Sequence, residues 1–314
     1  MKIISVVIPV HNEEKNVPHV YRAVRETFIR TPQYRYEIIF VNDGSKDGTS
    51  TAVEAIVALD PWVRYLEFTR NFGKEAATSA GIHAATGDAV VMIDADLQHP
   101  PHLIPDFITR WEEGAAVVVG VRQSNIGEGS IKKIGSRVFY KVMRVISETP
   151  MESGETDFRL IDREVADSFS VLTEHGRMTR SLINWFGYKT ATIPFDAPAR
   201  VHGQAAYSVT KLIRLAFHAM VANSLLPLRL AGYLGILISI TSFMLGSVVF
   251  VNRYIFNDAL NWHISGPAQL AIINVFLIGV VLMALGAIAL YIGKIDTEVT
   301  GRPLYVVRKN RRSK

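Results

Sequence analysis

The chain has 314 residues, of which 49% are apolar, and it contains no cysteine. This composition excludes disulfides and thiolate metal ligands, and the length allows one large domain or two smaller ones. The net charge of +5 comes from the last 21 residues, which hold seven Lys or Arg and two acidic side chains, whereas the rest of the chain holds 27 of each and is neutral. A nucleic-acid partner for the main domain is therefore not expected.

Strands alternate with helices over the first 195 residues. The apolar patterns predict strands near residues 2–10, 36–41, 63–68, 89–93, 115–121, 157–161 and 188–195. Helices are predicted near residues 16–29, 49–59, 75–85, 101–113, 163–172 and 178–186. This alternation gives right-handed βαβ units, so the predicted fold class is α/β with a mostly parallel sheet. In such sheets the ligand binds beyond the carboxyl ends of the strands, where the strand order reverses.

Two aspartates follow the strand predicted at residues 89–93. Asp94 and Asp96 are one residue apart, so on an extended backbone they are predicted to share one side. Mg²⁺ and Mn²⁺ take one or two carboxylates together with substrate phosphates, which makes a metal–diphosphate site the first hypothesis. The alternative is a solvated turn in which Asp96 or His99 caps the next helix.

The loops after the first two predicted strands lie at the same edge of the sheet. The first offers His11, Asn12 and Glu13, and the second offers Asp43. A carboxylate there can accept hydrogen bonds from a base N–H or from ribose hydroxyls. An Asx turn with a helix cap over residues 42–45 is the alternative, and both interpretations can hold together. No Gly-x-Gly-x-x-Gly follows the first strand and residues 44–49 are not a Walker A loop, which disfavours dinucleotide and P-loop chemistry.

Five motifs occur in order along the chain: Val7-Ile8-Pro9-Val10-His11-Asn12-Glu13-Glu14, Val41-Asn42-Asp43-Gly44-Ser45, Arg70-Asn71-Phe72-Gly73-Lys74, Asp94-Ala95-Asp96-Leu97-Gln98 and Gly154-Glu155-Thr156-Asp157-Phe158-Arg159-Leu160. Over about residues 3–230 the chain resembles family 2 glycosyltransferases with a GT-A fold. The resemblance points to the polyprenyl-phosphate branch, which includes dolichyl-phosphate mannose synthases and bactoprenol glucosyltransferases. The sequence lacks the Gln-x-x-Arg-Trp signature of processive synthases, which argues against a polysaccharide polymerase.

The resemblance implies an inverting transfer from a nucleotide sugar to a polyprenyl phosphate such as undecaprenyl phosphate. UDP-glucose is the first donor implied, with GDP-mannose or a UDP-aminosugar as alternatives. The cofactor implied is Mg²⁺ or Mn²⁺, held by Asp94, Asp96 and Gln98. Asp96 and Asp157 are the catalytic candidates, and Asp157 is assigned first to orienting the substrates and second to base catalysis.

The resemblance also implies two sets of binding residues. The nucleotide-sugar set comprises Pro9, His11, Asn12, Glu13, Asp43, Lys74, Asp94, Ala95, Asp96 and Arg200. Arginine is suited to bidentate contact with phosphate, and three arginines are therefore predicted to bind the acceptor phosphate. They are Arg122, Arg159 and Arg137, the last on an amphipathic helix predicted at residues 130–147.

The loop over residues 198–207 departs from the family pattern Arg-x-x-Gly-x-Ser-Lys-Tyr. It keeps Arg200, Gly203 and Tyr207 but has Ala205 and Ala206. A lysine there would place a cation near the diphosphate. Its loss motivates a second hypothesis, in which the chain is a catalytically impaired nucleotide-sugar-binding membrane protein.

The C-terminal third of the sequence predicts a membrane anchor. Residues 230–252 and 259–293 are runs of 23 and 35 residues without Asp, Glu, Lys or Arg, and about 20 apolar residues span a bilayer. The predicted plan is a catalytic domain at 1–206, an interfacial amphipathic helix at 207–228, two transmembrane helices at about 230–252 and 267–293 within 229–293, and a basic cytoplasmic tail at 294–314.

The charges that flank the two runs predict their orientation. Basic residues lie outside the hairpin, so the positive-inside rule places the catalytic domain on the cytoplasmic face of the plasma (inner) membrane, with membrane lipids as partners. Relatives suggest a homo-oligomer. A pore is disfavoured because the runs carry no ionisable residue except His263 at a flank.

Overall fold

The computed structural model describes residues 1–123, 154–174, 177–196 and 266–308, together with seven single positions between residues 237 and 255. The chain divides into two compact units. The first comprises Met1–Val145, Thr149–Ala206 and Arg302–Lys314, and the second comprises Ile146–Glu148 and Tyr207–Gly301. The predicted helix at 130–147, the loop at 198–207 and the interfacial helix at 207–228 lie outside the described residues, and so does most of the first predicted transmembrane run.

The first unit alternates strands and helices as the sequence predicts. Its strands are β1 (Ile3–Val10), β2 (Arg35–Asn42), β3 (Val63–Glu67), β4 (Ala89–Met92), β5 (Val117–Arg122), β6 (Glu155–Asp162) and β7 (Thr190–Phe195). Its helices are α1 (Val17–Ile29), α2 (Thr49–Leu59), α3 (Lys74–Ala84), α4 (Ile104–Glu112), α5 (Arg163–Ser170) and α6 (Thr179–Trp185), with a 3₁₀ turn at Pro101–Leu103 before α4.

The strands form one seven-stranded sheet in the order β3-β2-β1-β4-β6-β5-β7. Strands β1 to β4 are parallel, and β7 pairs in parallel with β5. Strand β6 is antiparallel to both of its neighbours, β4 and β5. The predicted α/β class with a mostly parallel sheet is therefore confirmed, with one antiparallel strand inserted beside β4. The strand order reverses between β1 and β4, and this switch point positions the cleft described below.

The sheet is buried on both faces, as near-continuous apolar strands predict. Ile4, Val6 and Ile8 of β1 pack on the side of α1. Val7 faces the other side and packs with the alanines of α3. A Cβ built on Gly81 of α3 would come within 2.1 Å of Val7 Cγ1, so glycine lets this helix lie directly against β1.

The second unit contains α7, the 35-residue helix Gly266–Thr300. Gly301 follows it with φ +61°, the left-handed conformation that commonly ends helices. Among the residues that the structure describes, no helix is long and apolar enough to cross a membrane.

Candidate active site

A cleft opens where β1 and β4 diverge. Its walls come from the ends of three strands and from the first turns of α3 and α6. The residues that line it are Pro9, Lys74, Glu75, Thr78, Met92, Ile93, Asp94, Asp157, Arg159, Thr179 and Arg180. The structure thus brings together residues from four of the sequence motifs at the predicted edge of the sheet.

An ion-pair cluster occupies the centre of the cleft. Lys74 Nζ lies 2.6 Å from Asp94 Oδ1 and donates to Asp157 Oδ2 at 2.8 Å. Burial opposes the charged form of Lys74, but the two carboxylates outweigh it and raise the pKa of the ammonium group. Lys74 therefore stays protonated and shields the two aspartates from each other. The sequence motif placed Lys74 in the donor site but did not predict these partners.

Asp157 is ionised at any physiological pH. Burial alone would raise its pKa, but the Lys74 ammonium, and then Arg180, lower the pKa of the Asp157 carboxyl to about 2. Such a carboxylate accepts hydrogen bonds well and accepts protons poorly. The geometry favours an orienting role over base catalysis for Asp157.

The two aspartates of the Asp94-Ala95-Asp96 motif do not lie on the strand. Strand β4 ends at Met92, and the motif forms a turn in which Asp96 Oδ1 accepts from the Gln98 N–H at 3.1 Å. The prediction of a shared side on an extended backbone was therefore wrong. The alternative of a helix cap from Asp96 or His99 is also wrong, because no side chain caps the Pro101–Leu103 turn.

The buried side chain of His99 contacts this turn through a hydrogen bond from Asp94. Its ring is 4% exposed and stacks on Phe158 with 5.4 Å between the centroids. The Asp94 N–H donates to His99 Nδ1 at 3.1 Å, which requires that nitrogen to be unprotonated. Burial lowers the pKa of His99, in agreement with a neutral ring, so its approach of 3.7 Å to the Asp94 carboxylate is no salt bridge.

The carboxylate oxygens in and beside the cleft are ligands that suit a hard divalent cation. Glu13 lies near this turn, and its pKa is raised, mainly by burial. The charges of Asp96, Asp47 and Asp94 raise it further, whereas a hydrogen bond from Asn16 opposes the shift. Within the described ranges, however, no three His, Asp or Glu side chains are arranged to hold a metal. Asp94 pairs with Lys74, and Asp96 accepts from the Gln98 N–H, so a cation here would share these two carboxylates with those partners. Mg²⁺ commonly binds through one or two carboxylates plus substrate phosphates, and the residues present fit that mode.

The loops after β1 and β2 are fixed to each other. His11 Nδ1 donates to the Asp43 carbonyl at 2.8 Å. Asn12, at φ 56°, receives the Lys46 N–H on its side-chain oxygen and donates its own N–H to Ser45 Oγ. These contacts hold the predicted donor-site residues of the two loops in one rigid surface beside the cleft.

Asp43 is buried and organises a third loop. Its side chain is 3% exposed, and its two oxygens accept from the N–H groups of Phe72 at 2.6 Å and Gly73 at 3.0 Å. Gly44 has φ +62°, and a Cβ there would lie 2.4 Å from the backbone carbon of Arg70. The observed role of Asp43 is thus to fix the loop that leads into Lys74, and its contact with a base or ribose stays a prediction.

The predicted phosphate-binding arginines have different environments. Arg159 is 1% exposed, and its guanidinium donates to Glu155 and Asn184, each at 2.6 Å. These partners occupy part of the guanidinium that the prediction assigned to the acceptor phosphate, and contact of Arg159 with that phosphate stays a prediction. Arg122 ends β5. Arg137 and Arg200 lie outside the described residues.

Sequence reasoning missed Arg180. It lies in the first turn of α6, lines the cleft and is close enough to lower the pKa of Asp157. No motif marks this arginine, and only the packing of α6 against α3 brings it there. Glu75 fixes that packing, since its carboxylate accepts from both the N–H and the hydroxyl of Thr179, at 2.8 and 2.6 Å.

The sheet order and the acidic turn at its switch point define a GT-A-type α/β fold. The chain resembles the crystal structure of mannosyl-3-phosphoglycerate synthase from Rubrobacter xylanophilus, with a TM-score of 0.50 and 18% identity over 70% of this chain and 72% of that one. At this identity the likeness concerns the fold alone.

Residues 5–188 match the model of glycosyl transferase family 2, and the chain belongs to that family. It is 38% identical over 309 residues to the SfII prophage-derived bactoprenol glucosyl transferase of Shigella flexneri, covering 98% of each chain. It is 36% identical to the prophage bactoprenol glucosyl transferase homolog of Escherichia coli (strain K12), again over 98% of each. An uncharacterized glycosyltransferase of Bacillus subtilis (strain 168), YkcC, is 38% identical over 98% of this chain and 93% of the relative. The predicted family and the predicted glycosyltransferase activity are confirmed.

Proposed function

We propose that this chain transfers glucose from UDP-glucose to a polyprenyl phosphate, undecaprenyl phosphate being the first candidate. The observation that carries the proposal is the 38% identity over 98% of both chains to a bactoprenol glucosyl transferase. The cleft supports it, because the cluster of Lys74, Asp94 and Asp157 lies at the switch point where α/β sheets bind ligands.

The acceptor in this proposal is a phosphate, and its charge decides whether the enzyme must supply a general base. A phosphate monoester has a second pKa near 6, so at neutral pH it is already largely a dianion and attacks without a strong base. Asp157 then orients the reactants through Lys74 rather than taking a proton. Arg180 is proposed to attract the acceptor phosphate, because it lines the cleft and its charge reaches Asp157.

The leaving group needs positive charge. Lys74 is a permanent cation 2.6 Å from Asp94, next to the turn that faces the diphosphate in this proposal. Asp96, Asp94 and Gln98 would hold Mg²⁺ or Mn²⁺, which would supply positive charge for the leaving diphosphate. A single displacement at the anomeric carbon inverts its configuration, giving a β-linked product from an α-linked donor.

We further propose the membrane plan of a cytoplasmic catalytic domain tethered to the plasma membrane by a two-helix hairpin. The uncharged runs at 230–252 and 259–293 support it. So does the return of Arg302–Lys314 to the catalytic unit, since a chain that leaves a domain and rejoins it on the same side crosses a bilayer an even number of times. A homo-oligomer stays a prediction.

The test is a donor panel with the full-length protein in nanodiscs. UDP-glucose, GDP-mannose and UDP-N-acetylglucosamine are each supplied with undecaprenyl phosphate and Mg²⁺, and products are read by mass. We expect a hexose-phosphate lipid from UDP-glucose, and its loss in Asp96→Asn. Asp167→Asn is the matched control, because Asp167 is exposed on α5 outside the cleft.

The panel also separates the alternatives. Product from GDP-mannose or from the aminosugar donor alone would replace the sugar and keep the reaction class. Binding of UDP-glucose without product or UDP release from any donor would contradict turnover and favour the binding-protein hypothesis raised by Ala205 and Ala206.

A further inference from the structure

Residues 302–308, called here the C-terminal segment, pair with the chain just after the end of β3. Strand β3 is the outermost strand on its side of the sheet. The segment runs antiparallel to the residues that follow β3, with Phe68 paired to Val307. Two main-chain hydrogen bonds flank this pair, from Thr69 N–H to the Val306 carbonyl at 3.0 Å and from Arg308 N–H to the Glu67 carbonyl at 2.7 Å.

Tyr305 makes the aromatic contacts of this segment. Its ring stacks on Phe68 with 5.0 Å between centroids and 12° between planes. Phe68 is fully buried and meets Phe72 edge-on at 5.7 Å and 89°. The Tyr305 hydroxyl lies 3.0 Å from Nδ1 of His83, near the end of α3. Tyr305 therefore contacts Phe68, which precedes residues 70–73, and also His83 of α3, the helix that follows them.

Residues 70–73, called here the donor loop, connect that strand to Lys74. The N–H groups of Phe72 and Gly73 donate to the buried carboxylate of Asp43. The guanidinium carbon of Arg70 lies 4.1 Å from the centre of the Phe72 ring, which is a cation–π contact within the loop. A shift of Phe72 would thus disturb the two hydrogen bonds to Asp43 that fix this loop.

We propose that the C-terminal segment is a positioning element of the donor site, acting through Tyr305, Phe68 and Phe72 on the donor loop. The inference rests on the proposed function only in taking the cleft as the donor site. Tyr305 lies outside the cleft and is a positioning residue. The ion pair between Arg308 and Glu67, at 2.9 Å and with Arg308 59% exposed, adds little because solvent screens it.

The test compares Tyr305→Ala with Tyr305→Phe in the full-length protein in nanodiscs. Tyr305→Phe keeps the stack and removes only the hydroxyl contact to His83. Val306→Ala is the matched control, since the Val306 side chain is 45% exposed and its carbonyl contact survives. We expect Tyr305→Ala to speed amide hydrogen exchange at Thr69, Phe72 and Gly73, and to weaken UDP binding about fivefold, the scale of one lost aromatic pair.

The kinetic signature distinguishes positioning from general damage. With Tyr305→Ala, KM for the nucleotide sugar should rise by about the same fivefold while KM for the lipid acceptor and kcat stay near wild type. Tyr305→Phe and Val306→Ala should match wild type. Unchanged exchange and unchanged UDP binding in Tyr305→Ala would overturn the proposal, and so would an equal loss in both KM values and kcat. If the wild-type protein transfers no sugar, the proposed function fails, whereas exchange and UDP binding by calorimetry still decide this inference.

Discussion

Replacing Asp157 by asparagine tests how the reaction is activated. The pKa of Asp157 is about 2, and the second pKa of a phosphate monoester is about 6, so proton transfer from the acceptor to Asp157 is uphill by roughly four pKa units. We therefore expect the wild-type rate to rise through about pH 6, where the acceptor becomes a dianion, and to stay flat toward pH 8. Asp157→Asn should keep that inflection and lower the plateau by about 10- to 100-fold, the effect of losing one hydrogen bond to a charged partner.

The assay measures initial rates from pH 5 to 8 at saturating donor, with lipid phosphate below its KM. Asp167→Asn serves as the control, because it removes an exposed carboxylate at 3.4 Å from Arg163 and leaves the cleft intact. A mutant that loses the inflection, or whose rate climbs with hydroxide, would show that Asp157 is an essential base and would refute the reasoning. Because the folded pKa lies below the ordinary value of 3.8, the stabilisation from Asp157 is complete above that value and is lost as the pH falls through about 2.

Three further predictions follow from the cleft, the buried arginine and the membrane plan. EDTA should abolish transfer, and added Mg²⁺ or Mn²⁺ should restore it. Asp96→Asn should be inactive while its circular dichroism spectrum stays that of a folded protein. Full activity in the presence of chelator would exclude the metal. Arg159→Ala should lower the free energy of unfolding by about 3–5 kcal/mol in thermal melts, because it removes the charged partner of Glu155, a carboxylate only 11% exposed. Arg110→Ala, in an exposed pair, should change it by less than about 1 kcal/mol. A normal melt with a raised KM for the acceptor would return Arg159 to the phosphate site. Protease added to inside-out vesicles should remove tags at both chain ends, and access to only one of them would contradict the hairpin.

The local structure of the catalytic unit could be predicted because its signals are local. Helix α2 was predicted with its observed ends, and α1 within one residue, since caps, prolines and apolar spacing act over a few neighbours. The switch point was also predictable, because parallel βαβ units leave few topologies open. Motifs at the strand ends then indicated which loops would meet there.

The partners of the charged residues were decided by tertiary structure alone. Lys74 pairs with Asp157 across 83 positions, and Arg308 meets Glu67 across 241, distances over which no sequence pattern fixes a register. The direction of β6 and the burial of Arg159 likewise depend on which strands flank β6. The sequence by itself determined which residues carry charge at the cleft. Only the packed sheet decided that Lys74 pairs with Asp94 and Asp157 and that Arg159 is enclosed by Glu155 and Asn184. It also decided that Arg180 lines the cleft. The reason is that the free energy of an ion pair depends on distance and burial in the folded chain.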